Sequence, residues 1–276
     1  MISSLARDVN VQTSSIDPRP GLSPRLEAGR CRFGWVQDAL LDHLRALAAR
    51  AAQALGGHSV MQDDSTGFVS SEFDRFLNHV FAAGALTLQE AASALEDRPG
   101  FVWLGAAHTG VAPPTGPSPT VMHGMRAKIA QAARNWEMPR DIAQVRLGAD
   151  LDDWHAVYCE VFGADINSLG EWQRLYEALG PSGDNSLILH LARVDGAPAA
   201  TAAVFLHEDI AGLYCFTTRR SMRGRGLASA LIGASHSAAS ARGINRALLH
   251  ATPSGRSVYA KAGYVDEKPL PVLIVP

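Results

Sequence analysis

Arg219, Arg220, Arg223 and Arg225 fall within seven residues and are interleaved with Gly224 and Gly226. Before them, Phe216-Thr217-Thr218 ends a strand-like run. Immediately after them, apolar residues recur with a helical period at Leu227, Ala230, Leu231 and Ala234. Glycines let backbone N–H groups approach a phosphate closely. The first turn of a helix adds unpaired donors at the positive end of its dipole, and guanidinium groups add charge. The spacing predicts an anion site at a strand–loop–helix junction. A surface turn with solvated arginines is the other reading these residues support.

The rest of the chain narrows the anion. The 276 residues carry a net charge of −2 and are 47% hydrophobic, enough for a large core in one domain or two small ones. No global basic bias or polybasic tract points to nucleic acid or a membrane surface, and no apolar run has the length of a membrane span. Cys31, Cys159 and Cys215 are odd in number and far apart, which suits a reducing cytoplasm better than a disulfide framework or zinc site. The ten histidines show no paired metal spacing, so no metal is expected. Residues 1–30 are rich in Ser, Pro and Gly and read as a mobile or loosely docked leader.

Several elements must position the loop. Trp35 to Leu55 reads as an amphipathic helix stopped by Gly56-Gly57, and Ser59 to Val69 as strand–turn–strand. Phe76 to Ala83 has strand character, and Thr87 with Glu90 makes a capping box for a helix to Leu95. Phe101 to Gly105 reads as a buried strand, residues 106–120 as a loop, Val121 to Met125 as an apolar run around His123, and the stretch from there to Trp136 as mildly helical. A second series begins near Asp141. It comprises a strand over Ile142–Leu147, helices from Asp150 and over Leu169–Leu179, and a hairpin turning at Asp195-Gly196. A third strand runs to Thr218. After the loop come a helix to Arg242, a strand over Arg246–Ala251, a short helix through Tyr259, and strand material from Val265 to Val275. The order β-α-α-β-β-β-α-β-α-β predicts a mixed sheet with the loop at the C-terminal end of a strand, where open α/β sheets bind ligands.

These residues in this order resemble the GNAT superfamily of acyl-CoA-dependent N-acyltransferases. The family's pyrophosphate loop is Arg or Gln, two residues, Gly, one residue, then Gly or Ala, and Arg223-Gly-Arg-Gly226-Leu-Ala228 fits it throughout. A later block, Ser254 to Tyr259 and then Gly263-Tyr264, matches in spacing. The resemblance covers about residues 141–270. It implies an α/β fold of the α+β mixed-sheet kind: a flexible leader over 1–30, a degenerate GNAT-like or unrelated α+β domain over 31–138, and a catalytic GNAT domain over 139–276. It further implies that acetyl-CoA is bound by Phe216, Thr217, Thr218, Arg223, Gly224, Arg225, Gly226, Leu227, Ala228, Ser229, Ser254 and Tyr259. Tyr259 would also act as general acid toward the departing thiolate. Ser254 stands where the family commonly has Asn.

The general base is not given by the resemblance. Many family members carry a carboxylate early in the strand before the loop, whereas this chain has Ala211-Gly212-Leu213. Glu208 and Asp209 in the turn before that strand, His250 on the next strand, a water chain and, as a further possibility, His190 are the candidates, and each side chain has an ordinary structural alternative. Asp153, Trp154, Tyr158, Glu160 and Asp165 are expected near the acceptor and would favour a cationic amine. The expected function is transfer of an acetyl group to a primary amine of a small molecule. The alternative is a non-catalytic acyl-CoA binder. A monomer or homodimer is expected, without nucleic-acid or membrane partners.

Overall fold

A computed structural model describes residues 12–15, 39–62, 65–70, 74–83, 87–105, 119–129 and 141–276. The first half comprises β1 (Gln12–Ser15), α1 (Ala39–Ala54), β2 (His58–Gln62), β3 (Ser65–Val69) and a 3₁₀ turn (Arg75–Leu77). It continues with β4 (His79–Ala82), α2 (Leu88–Ser93), β5 (Gly100–Leu104) and β6 (Thr120–Lys128). The second half begins with β7 (Ile142–Gln144), α3 (Ala149–Phe162), a 3₁₀ turn (Ile166–Ser168), α4 (Leu169–Leu179), β8 (Leu187–Val194), β9 (Ala197–His207) and β10 (Ile210–Thr218). A further 3₁₀ turn (Arg220–Met222), α5 (Leu227–Ser240), β11 (Arg246–Ala251), α6 (Arg256–Lys261) and β12 (Val265–Val275) follow.

The strands form one mixed sheet in the order β1-β2-β3-β4-β5-β12-β6-β11-β10-β9-β8-β7. Read outward from the central β12–β6 pair, the two sides repeat the same sequence of partners. β4 and β5 are parallel on one side, β10 and β11 on the other, and every other pair is antiparallel. The last strand of each half is exchanged. β6 follows β5 along the chain but pairs with β11, while β12 follows β11 and pairs with β5.

Local sequence explains many of the elements. The α1 face that carries Leu41, Leu44, Leu47, Ala48 and Ala51 is buried, and Gly56 takes the left-handed conformation (φ 69°) after the helix. Asp195 and Gly196 both have positive φ (50° and 80°), as the tight β8–β9 turn requires. Thr87 and Glu90 form the expected capping box on α2. On one face of the sheet, α1, α3 and α4 share a core that includes Leu44, Trp154, Tyr158, Trp172, Leu175, Phe205 and Tyr214. On the other, α5 and α6 pack on Val204, Leu213 and Leu249, and α2 lies in a smaller cluster with Val80 and Val102.

Asp74, from the first half, ties the two halves together. Its buried carboxyl group accepts hydrogen bonds from Phe76 N, Tyr158 Oη and Trp172 Nε1, all at 2.9 Å, with Ser168 Oγ at 3.2 Å.

Four expectations need correction. The Phe76–Ala83 run is not one strand, because Asp74 caps a 3₁₀ turn at Phe76 N and extended pairing starts only at His79. The stretch after Met125 is not helical as far as Lys128, since it is held between β11 and β12 as the end of β6; residues 130–140 lie outside the described residues. The strand at Ile142 stops at Gln144. Within the supposed leader, Gln12–Ser15 pairs with β2; its other residues, Cys31 and the loop over 106–118 lie outside the described residues.

Candidate functional site

The site begins where β10 and β11 part. Their parallel pairing runs from Ile210↔Arg246 to Leu213↔Leu249 and ends there, although both strands continue. Just beyond, β10 carries a bulge. Tyr214 pairs with Ala203 and the next pair is Thr217 with Thr201, so two residues of β10 oppose one of β9. Cys215 sits in the bulge with φ at 52°. Thr201 Oγ1 donates to the Cys215 carbonyl at 2.9 Å and lies 2.9 Å from Thr217 Oγ1, which satisfies a group the bulge withdraws from the ladder. The result is a wedge-shaped opening in the sheet, flanked by strand N–H and C=O groups.

β10 then runs into the loop. Arg219 is anchored to Glu160 at 2.9 Å and donates to the Pro198 carbonyl at 2.8 Å. Arg223 donates to the Thr218 carbonyl at 3.3 Å. Gly224 and Gly226 have φ of 76° and 77°, a conformation glycine adopts without penalty. A methyl group built on either would meet open space, so the backbone there is laid bare on its outer side. Gly226 begins α5 with no side-chain cap, and the Ala230 N–H already bonds to the Gly226 carbonyl at 3.0 Å. The donors ahead of Ala230 are those that helix geometry leaves for a ligand. Arg223, Arg225 and Ser229 are exposed beside them.

α6 completes the opening on the α5 face. The Tyr259 ring lies 6.1 Å from Phe216 and 5.9 Å from Tyr264, both edge-on. Burial pushes its phenol pKa up, so it holds its proton at neutral pH, as a general acid must. Ser254 is exposed in the turn before α6, 3.1 Å from Thr252 Oγ1.

Residues 150–270 match the family described as "Acetyltransferase (GNAT) domain". This stretch is similar to GNAT acetyltransferase domains. Members of that family use acyl-CoA as donor, and the glycine cradle at the uncapped start of α5 fits a pyrophosphate. The likeness of fold extends over both halves. A GCN5-related N-acetyltransferase from Kribbella flavida is 19% identical, with 85% of this chain and 95% of that one covered at a TM-score of 0.56. A functionally unknown conserved protein from Staphylococcus epidermidis ATCC 12228 is 13% identical, with 80% and 96% covered at 0.54. A GCN5-related N-acetyltransferase from Sphaerobacter thermophilus is 16% identical, with 78% and 79% covered at 0.53. No curated protein sequence matches the chain. Among the described residues, no helix is long and apolar enough to cross a membrane.

Within this stretch, Phe216, Thr217, Thr218, Arg223, Gly224, Arg225, Gly226, Leu227, Ala228 and Ser229 form one continuous path from the bulge to the helix, with Tyr259 against Phe216. His250 is the first residue of β11 past the parting of the strands and belongs to the same place. Glu208 does not. It is exposed in the turn before β10, at the far end of the strand, roughly 25–30 Å from Thr218. His190 is buried in β8, with neither ring nitrogen hydrogen-bonded, and burial pushes its pKa down to about 4. The expected acidic acceptor pocket is also absent among the described residues. Asp153 pairs with Arg193 at 2.8 Å and Glu160 with Arg219. Asp165 caps the turn at Asn167 N, and Trp154 and Tyr158 are core residues.

Three features escaped the sequence reading. The bulge at Cys215 shows only as a change of phase: Ala211, Leu213 and then Phe216 face α5. Gly212 is bare because His43 of α1 lies over it; a methyl group there would come within 2.5 Å of the imidazole. Trp103 of β5 packs 4.9 Å from the His250 ring. The last two contacts join the halves, and no local spacing signals them.

Proposed function

We propose that the chain is an N-acetyltransferase that moves the acetyl group of acetyl-CoA to a primary amine of a small molecule by direct attack. The observation that carries this reading is the parted, bulged β10 leading into an uncapped helix start, with a protonated tyrosine beside it. In this reading the Arg223–Ser229 backbone holds the pyrophosphate, and Phe216 to Thr218 hydrogen-bond the pantetheine amides as an added strand would. A β10 N–H near the bulge faces the thioester oxygen, where negative charge develops. The amine nitrogen bonds to the acyl carbon as the carbon–sulfur bond breaks; one proton leaves the nitrogen, and Tyr259 gives one to the sulfur. An acyl-enzyme is disfavoured because the cysteine nucleophile would have to be a thiolate. Burial pushes the Cys215 thiol far up, and burial together with Asp74 and Asp165 pushes Cys159 up to about 12.

The first half is read as an altered copy of the same strand order, which closes the side of the sheet opposite α5. Gly212, in place of the family's usual carboxylate, favours a second reading as a non-catalytic acyl-CoA binder. Thiol release from acetyl-CoA over a panel of amines separates the two: amine-dependent release supports transfer, while CoA binding without release on any amine supports the binder.

A further inference from the structure

On the α1 side, the place where β10 and β11 part is lined by rings from both halves, and His43, His79, Trp103 and Tyr214 are buried there. Tyr214 and His250, the first residues past the last strand pair, have ring centroids 6.5 Å apart. Three further rings come from the first half: His43, His79 and Trp103. Nearly every polar atom on this rim is already used. Tyr214 Oη donates to His43 Nδ1 at 2.9 Å, and His43 Nε2 faces the Ile210 carbonyl at 3.4 Å. Trp103 Nε1 donates to His79 Nδ1 at 3.0 Å, and His79 Nε2 donates to the Phe76 carbonyl at 3.0 Å. The His250 ring is the exception. His250 Nε2 is shielded from solvent and has no partner.

No Lys, Arg, Asp or Glu is among these rings. The carboxyl groups expected near the acceptor are committed elsewhere, Asp153 to Arg193, Glu160 to Arg219 and Asp165 to Asn167 N, and the buried Asp74 is held by its own donors. An alkylammonium brought here would lose its hydration and find neither a counter-charge nor a strong base. An uncharged amine would lose little, and its N–H would satisfy the orphaned nitrogen.

We propose that the acceptor is an amine already uncharged at neutral pH, of the aromatic-amine class, seated against this rim with its N–H on His250 Nε2. Burial, with His79 and His43 close by, pushes the His250 pKa down to about 3, so its ring stays neutral and able to accept. Burial pushes His43 and His79 to about 4. His43, His79 and Tyr214, the titratable rings described around His250, are thus neutral near pH 7. Trp103 is a positioning residue: its indole lies against the imidazole and is itself held by His79.

The class of acceptor rests on the acyl-transfer reading, but its test is binding, not turnover. Para-toluidine and benzylamine are isomers; near pH 7 the first is neutral and the second is a cation. Each is titrated by calorimetry into the full-length protein saturated with CoA. Para-toluidine should bind about tenfold or more tightly than benzylamine near pH 7. Raising the pH to about 10, near the deprotonation of an alkylamine, should narrow the gap by strengthening benzylamine. His250→Phe should cost para-toluidine about tenfold in affinity and leave CoA affinity unchanged. Equal or tighter binding of benzylamine near pH 7, or no binding of para-toluidine, overturns the proposal. Failure of CoA itself to bind would instead overturn the acyl-CoA reading. The wild-type pH comparison decides the matter even if the variant does not fold.

Discussion

The β10–α5–β11 unit and the β4–α2–β5 unit each set a helix between two parallel strands, and they finish in opposite ways. β4 and β5 stay paired along the whole length of β4, from His79↔Phe101 to Ala82↔Leu104. β10 and β11 part after four pairs, and β10 continues through a bulge. The start of α2 is closed by its own side chains: Thr87 Oγ1 accepts from Glu90 N, and Glu90 accepts from Thr87 N. The start of α5 has only Gly226 and no side-chain cap. The same architecture therefore gives an inert corner when the sheet stays zipped and the helix caps itself. It gives a ligand site when the strands separate and the helix N–H groups are left bare.

The most severe way to break this comparison is to separate the halves. A fragment of residues 139–276 loses β5 and β6 and so bares the β11 edge and both sides of β12. It should be insoluble or lack cooperative unfolding; a soluble fragment with a sharp thermal transition would contradict the exchanged arrangement. Gly226→Asp comes next. It sets a negative charge and a Cβ at a left-handed position in the cradle, and CoA affinity by calorimetry should fall about a hundredfold or more with the far-ultraviolet spectrum unchanged.

Tyr259→Phe should slow turnover about a hundred- to ten-thousandfold in a thiol-release assay while CoA affinity holds. Comparable losses in both would make Tyr259 a packing residue. The shared histidine rim gives a pH effect. His43, His79 and His250 have folded pKa values pushed from 6.5 to about 4, 4 and 3, chiefly by burial. The unfolded chain therefore binds more protons than the folded one in that interval. Their contribution is fully present above about pH 6.5 and is lost as the pH falls toward 4. Tm measured across that range should drop steadily on acidification, and His79→Phe should flatten the slope. The smallest effect is expected in the inert corner. Thr87→Ala should cost about 1 kcal/mol in denaturant unfolding and leave CoA binding untouched.

What could be read from the sequence was local. The loop from Arg219 to Ala228 and the block around Tyr259 carry their chemistry in short spacings, and Asp195-Gly196 and Thr87–Glu90 each encode a turn or cap within four residues. Phe76–Ala83 misled because an apolar run does not reveal that Asp74 will be drawn to Tyr158 and Trp172. The β6 segment misled because its partners lie far away along the chain. The bare β10 position at Gly212 read as a missing base, when it is the space that α1 fills with His43. Contacts of that kind depend on two halves meeting, and no window of residues contains them.

The exchange of β6 and β12 also bears on how the molecule is made. Gly100 of β5 pairs with Val275, 175 residues later in the chain. As the polypeptide leaves the ribosome, the first half must wait with an unzipped central strand until the far end of the second half is synthesised. The seam of the sheet is thus the last thing to close. Folding should be slow and vulnerable to self-association in that interval, as expected for contacts of large sequence separation.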